Sequence, residues 1–140
     1  LEALNKQLQA EYARIRKKEQ RWEEYCCDDA RVVIVAYGIM ARVAKTIVTS
    51  MRAKGARVGL IRPMTLWPFP VTPFAKKKKS VVKYLVVEMS YGQMVEDVKL
   101  ALEGRGHIHF YGRPGGIIPT PIELYRIISR HYYQAKRRKK

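Results

Sequence analysis

Residues 84–98, YLVVEMSYGQMVEDV, decide the fold of this chain. The segment starts as a continuous apolar run, passes through a polar turn that contains Gly92, and continues with the spacing of a helix. A second strand and turn, FYGRPGG at 110–116, follows shortly after. Corners of this kind indicate a parallel sheet, in which functional groups lie where the strands end. The sequence therefore predicts where a site lies before it indicates the chemistry of that site.

The rest of the chain alternates strands and helices around this segment. Apolar runs predict strands at 31–37, 58–61, 84–89 and 107–111. Helices are predicted between the turn at Gly38 and the C-cap at Gly55, from Thr72 through the lysines at 76–79, from the turn at Ser90 to about Leu102, and from Thr120 to about Gln134. Two of these helices are predicted to start with a capping box, Ser90 with Gln93 and Thr120 with Glu123.

The order β-α-β-α-β-α-β-α predicts an α/β fold in three layers, with a mostly parallel sheet and helices on both faces. Right-handed crossovers then place all four strand ends at one edge of the sheet. An N-terminal helix is predicted over residues 1–24, with a narrow apolar stripe of Leu1, Leu4, Leu8, Ile15 and Trp22. The predicted domains are a helical connector at 1–29, an α/β domain at 30–135 and a basic tail at 136–140. The connector is expected to join a preceding domain or to dock on a neighbouring subunit.

The formal net charge of +16 is concentrated in the α/β domain and the tail. Residues 30–140 hold 22 lysines and arginines against five acidic residues, whereas residues 1–29 are almost neutral. Such a field attracts phosphates, nucleic acid or acidic proteins, and it is equally consistent with a soluble, lysine-rich surface. Charge of this kind sets attraction and not specificity.

Composition also bounds the location of the protein. No apolar run approaches the roughly 20 residues that span a bilayer, so no membrane contact is expected. The adjacent Cys26 and Cys27 cannot build a disulfide scaffold or complete a tetrahedral metal site. Their expected state is reduced, which favours a cytoplasmic location. Because the chain starts at Leu1 and not at a methionine, it is expected to be a fragment or a chain whose beginning is missing.

Five candidate binding residues lie at the predicted strand ends: Arg62, Gln93, Arg113, Gly115 and Gly116. Glycines let backbone N–H groups approach an anion, and an arginine binds a carboxylate or phosphate with two prongs. The same glycines also fit a purely structural loop with unusual backbone angles. The loop is not a P-loop, because no Gly-Lys-Ser/Thr sequence follows it.

No complete catalytic or metal site is visible in the sequence. Glu88 ends a buried strand, where it is predicted either as an acid or base or, in preference, as a cap for N–H groups of the next turn. His107 and His109 face the same way on a strand, but no neighbouring Cys, Asp or Glu completes a metal site. His131 is predicted at the surface. This absence argues for a module of a larger enzyme.

Four segments, in this order, carry a family resemblance: VVIVAYG at 32–38, VGLIRPMTLWPFP at 58–70, LVVEMSYGQMVEDV at 85–98 and FYGRPGG at 110–116. They resemble the alpha subunit of 2-oxoacid:ferredoxin oxidoreductases, in the 2-oxoglutarate and branched-chain 2-oxoacid branch. The resemblance covers about residues 20–130 and implies the C-terminal domain of that subunit, with the fold of the transketolase C-terminal domain. Ser90 stands where an asparagine is usual in the family.

The resemblance implies an enzyme that converts a 2-oxoacid, CoA and oxidised ferredoxin into an acyl-CoA, CO2 and reduced ferredoxin. Thiamine diphosphate, magnesium, an iron–sulfur cluster and CoA are then bound through other domains or subunits, and this chain alone is expected to be non-catalytic. Its expected partners are a thiamine-binding beta subunit, other oxidoreductase subunits and ferredoxin. Its expected role is to support the hetero-oligomer, with CoA or a partner surface as the anion at the five candidate residues.

A second hypothesis comes from a different class of protein. The net charge is also consistent with a basic module that binds nucleic acid or another polyanion non-specifically. Transketolase-like enzymes in general are disfavoured by the segments RPMTLWPFP at 62–70 and GQM at 92–94.

Overall fold

The computed structural model describes residues 1–75, 81 and 83–137. The strands in these ranges are β1 (Trp22–Tyr25), β2 (Val32–Ala36), β3 (Val58–Pro63), β4 (Lys83–Glu88) and β5 (His107–Gly112). The helices are α1 (Glu2–Lys18), α2 (Gly38–Ala53), α3 (Thr72–Ala75), α4 (Met94–Leu102) and α5 (Pro121–Arg137). The predicted lysine run at 76–79 and the end of the predicted tail, 138–140, lie outside the described residues.

One sheet contains all five of these strands, in the order β1-β3-β2-β4-β5. The central strand β2 pairs in parallel with β3 on one side and with β4 on the other, and β5 pairs in parallel with β4. Each parallel connection passes through a helix, as parallel pairing requires. The predicted α/β fold with a mostly parallel sheet is confirmed.

The core explains why the central strands read as continuous apolar runs. Val32 and Ile34 of β2 pack with α2 and α5 on one face of the sheet, whereas Val33 and Val35 pack with α3 and α4 on the other. Successive side chains of a strand point to opposite faces, so a strand covered on both faces has no polar position to alternate with. The three layers are therefore a direct consequence of this sequence pattern.

The N-terminal segment departs from the prediction. Its helix ends at Lys18 and does not continue to residue 24, and Trp22–Tyr25 form β1 instead. β1 runs antiparallel to β3, with Glu23 opposite Arg62. Trp22 thus lies on a strand and not on the helical stripe, because pairing with the open edge of β3 overrides the weak helix propensity of four residues. The division of the chain into three domains stays a prediction.

Helix α1 contributes no buried residue to the core. Leu1 and Leu4 are 98% and 54% exposed. The end of the helical segment is held by the loop after β3: the Tyr12 ring meets Trp67 edge-on at a centroid distance of 5.9 Å, and the Val71 N–H donates to Gln20 Oε1 at 2.9 Å. The first half of α1 therefore presents its apolar side chains to solvent.

Candidate functional site at the strand ends

The carboxyl ends of β2 and β4 form the switch point of the sheet. The chain leaves β2 through Tyr37 into α2 on one face, and it leaves β4 through residues 89–93 into α4 on the other. Two neighbouring strands that send their helices to opposite faces leave a crevice between their turns. Ligands of open α/β sheets bind in this crevice, so its side chains are the first candidates for a site.

Glu88 ends β4 with only 1% of its surface exposed. Its Oε1 accepts hydrogen bonds from Ser90 Oγ and from the N–H groups of Gly92 (3.1 Å) and Gln93 (2.6 Å), and its Oε2 accepts from the N–H of Val95 (3.0 Å). The carboxylate therefore caps the start of α4, next to the positive end of the helix dipole. The preferred prediction for Glu88 is confirmed, and both oxygens are occupied by donors of the chain itself.

The predicted capping box of Ser90 and Gln93 is wrong. α4 begins only at Met94, and Gln93 is its N-cap without a side-chain hydrogen bond. The Ser90 hydroxyl donates to Glu88, because the buried carboxylate reaches from the strand end into the turn and takes over the capping. Burial, with the charge of Glu88 as the second cause, raises the pKa of Asp97 in the first turn of α4.

Gly112 brings the turns after β4 and β5 into contact. A Cβ atom at this position would lie 2.3 Å from the carbonyl oxygen of Ser90, so a larger residue does not fit without movement of the backbone. The N–H of Arg113 also donates to the backbone oxygen of Glu88 at 3.1 Å. The two turns form one unit, which brings the predicted residues Gln93 and Arg113 to the same end of the sheet.

Arg113 is already paired within the chain. Its guanidinium donates to Glu123 Oε2 at 2.5 Å, and the Tyr111 hydroxyl donates to Glu123 Oε1 at 2.7 Å. The N–H of Glu123 donates to Thr120 Oγ1 at 3.2 Å, which confirms one half of the second capping box. The other half is wrong, because the Glu123 carboxylate turns to Tyr111 and Arg113 and not back to Thr120.

This ion pair sets the electrostatics of the β5 turn. The hydrogen bond from Tyr111, assisted by the charge of Arg113, holds the pKa of Glu123 below its usual value. Burial and the neighbouring Glu123 carboxylate raise the pKa of Tyr111. The Arg113 side chain is 37% exposed, so an incoming anion would share its guanidinium with Glu123. Sequence reasoning missed the roles of Glu123 and Tyr111, although the TPIE segment at 120–123 was a signal that the carboxylate lies near this turn.

Gly115 and Gly116 follow in the same loop. Their φ angles are +82° and +73°, in the left-handed region that favours glycine. A Cβ atom at either position would meet nothing within 4 Å, so backbone angle and not close approach explains these glycines. The structural alternative therefore accounts for both residues, and their role in anion binding stays a prediction.

Arg62 lies apart from the other four candidates. It sits on β3, which is separated from β4 by β2, so about 10 Å of sheet lies between its strand and the turn of Gln93. Its guanidinium donates to Glu23 on β1 at 3.2 Å. Together with Arg42 and Lys45 of α2, this pair lines a separate cleft of about 350 Å³. The predicted five-residue site is thus split between two places.

The histidines lie at the opposite end of the sheet. The rings of His109 and His131 are 4.8 Å apart, and Lys83 Nζ lies 3.3 Å from His131 Nδ1. Burial, followed by the charges of Lys83, His109 and Arg130, lowers the pKa of His131 to about 4. The prediction of a surface His131 is wrong, since the ring is half-buried against its neighbours. Within the described ranges, no group of three or more His, Cys, Asp or Glu residues could hold a metal ion.

The fold and its strand-end turns define a class of subunit domain. Residues 30–124 match the family described as pyruvate:ferredoxin oxidoreductase core domain II, and the chain belongs to this family of 2-oxoacid:ferredoxin oxidoreductase subunit domains. The family resemblance read from the sequence is therefore confirmed.

Individual relatives place the chain within the family. It is 44% identical over 130 residues to the ketoisovalerate oxidoreductase subunit VorB of Methanothermobacter thermautotrophicus, covering 93% of this chain and 36% of the relative. It is 37% identical over 97 residues to the 2-oxoglutarate synthase subunit KorA of Methanothermobacter marburgensis, covering 69% of this chain and 26% of the relative. The chain thus spans about a third or less of the length of these relatives.

A solved structure shows the same fold. The chain superposes on part of the 2-oxoglutarate:ferredoxin oxidoreductase from Magnetococcus marinus, which was solved with 2-oxoglutarate, coenzyme A and succinyl-CoA bound, with a TM-score of 0.70. The two are 21% identical, and the match covers 83% of this chain and 20% of that one. Among the helices that the structure describes, none is both long and apolar enough to cross a membrane.

Proposed function

We propose that this chain is a non-catalytic domain, C-terminal in its alpha subunit, of a thiamine-diphosphate-dependent 2-oxoacid:ferredoxin oxidoreductase. One observation carries the proposal: on a domain of this family, the strand-end groups that could do chemistry are used internally. The two oxygens of Glu88 accept hydrogen bonds from the next turn and from the start of α4, and Arg113 is paired with Glu123. A domain whose polar groups stabilise its own turns is suited to support an assembly.

The relatives support a substrate class for the complete enzyme. The 44% identity with a ketoisovalerate oxidoreductase subunit extends over nearly all of the chain and supports a branched-chain 2-oxoacid. The complete enzyme would convert this acid, CoA and oxidised ferredoxin into an acyl-CoA, CO2 and reduced ferredoxin. Thiamine diphosphate, magnesium and the iron–sulfur cluster are assigned to other domains or subunits, in a cytoplasmic hetero-oligomer with a thiamine-binding beta subunit.

A narrower proposal concerns the turn unit of Gln93, Arg113, Gly115 and Gly116. Arg113 is half-exposed at the edge where open α/β sheets bind ligands, and it offers a guanidinium that can be shared with a second anion. CoA, or an acidic surface of ferredoxin or a partner subunit, is the anion proposed here. Arg62 lies in a separate cleft and would make a separate contact.

Turnover by the isolated chain tests the non-catalytic role. The purified 140-residue chain is incubated with 2-ketoisovalerate, CoA, thiamine diphosphate, magnesium and a viologen dye, beside the complete enzyme that contains it. We expect dye reduction by the complete enzyme and none above a no-protein control by the chain. Reduction by the chain would contradict the non-catalytic role, and failure of the complete enzyme to reduce the dye with 2-ketoisovalerate would contradict the branched-chain substrate class.

Arg113→Ala in the complete enzyme tests the proposed contact of Arg113 with CoA, ferredoxin or a partner subunit. A two-pronged arginine contact contributes about 1.5–3 kcal/mol, so CoA use, ferredoxin use or subunit association should weaken about tenfold or more. Arg126→Ala is the matched control, because it removes the same charge from an exposed position of α5. If both variants assemble and turn over like the wild type, the loop is structural and the contact proposal is wrong.

A further inference from the structure

Strand β5 is an edge of the sheet among the described strands, and its own sequence lacks the lysines, carboxylates and prolines that usually protect an edge. Its one neighbour among the described strands is β4. The six residues His107–Gly112 contain no lysine, no carboxylate and no proline, whereas the opposite edge, β1, has four residues and two of them are glutamates. Long, uncharged edges are open to pairing with another strand, and proteins ordinarily shorten them, charge them or cover them.

The hydrogen-bond pattern shows which backbone groups this edge presents. The register between β4 and β5 is constant along all six pairs, from Lys83 opposite His107 to Glu88 opposite Gly112. The Arg113 N–H donates to the Glu88 oxygen, so Arg113 faces β4. Because successive residues of a strand face opposite sides, His109 and Tyr111 also face β4, and 108, 110 and 112 face outward. Three N–H and three C=O groups therefore line the open side of β5.

The side chains around the edge are apolar and exposed. Phe110 is 43% exposed on β5 itself. Tyr91 in the turn after β4 is 88% exposed, and Ile117 and Ile118 in the loop after β5 are 58% and 46% exposed. These residues lie at the carboxyl end of the edge. An added strand would find both backbone partners and apolar contacts there.

We propose that the β5 edge binds an extended, acidic segment of a partner polypeptide, which adds to the sheet as a sixth strand. Charge complementarity selects this occupant: residues 30–140 hold 22 lysines and arginines against five acidic residues, Arg113 directly follows the strand, and Arg105 stands two positions before it. The same charge disfavours a second copy of this chain, since two strongly basic surfaces repel each other. The inference is independent of the enzymatic activity proposed above.

Hydrogen exchange on the isotope-labelled 140-residue chain tests the proposal. The probe is a blocked nonapeptide of alternating valine and aspartate, which has strand propensity and negative charge. We expect the peptide to slow exchange of the outward amides of Ile108, Phe110 and Gly112 about tenfold or more, and to leave the inward amides of His109 and Tyr111 unchanged. A valine–lysine peptide of the same length is the charge control and should not bind.

The role of the backbone is tested on the peptide, where no folding defect of the protein can interfere. The valine–aspartate peptide is made in two N-methylated phases, one methylated at all odd-numbered residues and the other at all even-numbered residues. Each phase keeps the side chains and removes the N–H donors on one side of the strand. One of the two phases should bind about tenfold or more weakly, because it removes the donors that face β5. In the chain, Phe110→Pro removes an outward N–H and should weaken binding, whereas Phe110→Thr keeps that N–H and should retain it.

Several results would overturn the proposal. Absence of binding up to about 1 mM peptide would show that the β5 edge is not a binding site for such a segment. Equal binding of both N-methylated peptides would show that charge alone holds the peptide, without strand addition. Protection of the outward amides that grows with protein concentration and without peptide would identify a second copy as the occupant.

Discussion

At the scale of single residues, Glu88 connects the sheet to the helix that follows it. A buried carboxylate is costly unless its oxygens are hydrogen-bonded, and Glu88 accepts from one hydroxyl and three backbone N–H groups. The donors belong to the turn that also touches Gly112 and to the start of α4. The residue therefore organises the candidate site without being free to act on a ligand.

Glu88→Gln should destabilise the chain by about 2–4 kcal/mol, since an amide group would face N–H donors in a buried position. Urea unfolding of both proteins, with equal m-values, measures the difference in the free energy of unfolding. Glu96→Gln is the matched control, because Glu96 is exposed and pairs with Lys99 on the same helix, so its loss should cost less than about 0.5 kcal/mol. Equal costs for the two variants would contradict the capping role of Glu88.

His131 gives the chain a predictable response to acid. Its folded pKa of about 4 lies below the ordinary value of 6.5, so between these values the unfolded chain binds a proton that the folded chain does not. Stability should therefore fall as the pH drops from about 6.5 to about 4, and this contribution is fully present above that window. The number of protons that His131 takes up on unfolding should stay below one, because the ring is partly exposed.

His131→Gln isolates this contribution, since glutamine can still accept a hydrogen bond from Lys83. Thermal unfolding of both proteins is followed from pH 4 to pH 7 at constant ionic strength, a range that spans the window set by the pKa of His131. The variant should lose less stability on acidification than the wild type. Parallel curves for the two proteins would show that His131 does not contribute.

At the scale of elements, α1 and the two sheet edges behave differently from the core. α1 contributes no buried residue, and β1 is a short antiparallel strand at one edge. The Tyr12–Trp67 contact and the bond of Val71 to Gln20 join the end of the α1 segment to the loop after β3. The first turns of α1 make none of these contacts, which agrees with the expectation that this helix docks on another surface.

Deletion of residues 1–10 should change the free energy of unfolding by less than about 0.5 kcal/mol, because exposed residues contribute little to the folded state. Urea unfolding followed by tryptophan fluorescence reports on both Trp22 and Trp67. Tyr12→Ala is the comparison, and it should cost about 0.5–1.5 kcal/mol through loss of the edge-on contact with Trp67. A larger loss from the deletion than from Tyr12→Ala would show that the first turns of α1 do pack on the domain.

At the scale of the whole molecule, the net positive charge is the feature that contacts within the fold do not explain. The described ion pairs use only some of the 28 lysines and arginines of the chain, and most of these pairs are exposed. Exposed pairs contribute little to stability. The excess positive charge is therefore a property of the surface and of its partners.

The chain should bind double-stranded DNA weakly and without sequence preference, with a Kd of about 10⁻⁴–10⁻⁶ M at physiological salt and a steep loss of affinity as salt rises. Fluorescence anisotropy with two unrelated duplexes at several salt concentrations measures this. A chain that ends at Ala135 lacks the cluster at 136–140 and should show a smaller salt slope. A strong preference for one duplex would contradict this expectation, because charge alone sets attraction and not specificity.

What the sequence determined by itself is local or periodic. Apolar runs predicted the four parallel strands, and the alternation of strands and helices predicted a three-layer sheet, because hydrophobic period follows directly from which faces are covered. The strand-end carboxylate was also predictable as a cap, since Glu88 lies immediately before the turn whose N–H groups need a partner. The family resemblance rests on the same segments, in which a strand is followed by a turn.

The tertiary structure alone decided what depends on distant pairing. β1 exists because residues 22–25 meet the edge of β3, 35 to 41 positions further along the chain, and no local pattern encodes that meeting. The strand order β1-β3-β2-β4-β5 brought Gln93 and Arg113 to one end of the sheet and left Arg62 in another cleft. Glu123 became the partner of Arg113 because α5 starts beside the end of β5, with Glu123 in its first turn. Long-range contacts of this kind are set by how the elements pack together, and the linear sequence does not display them.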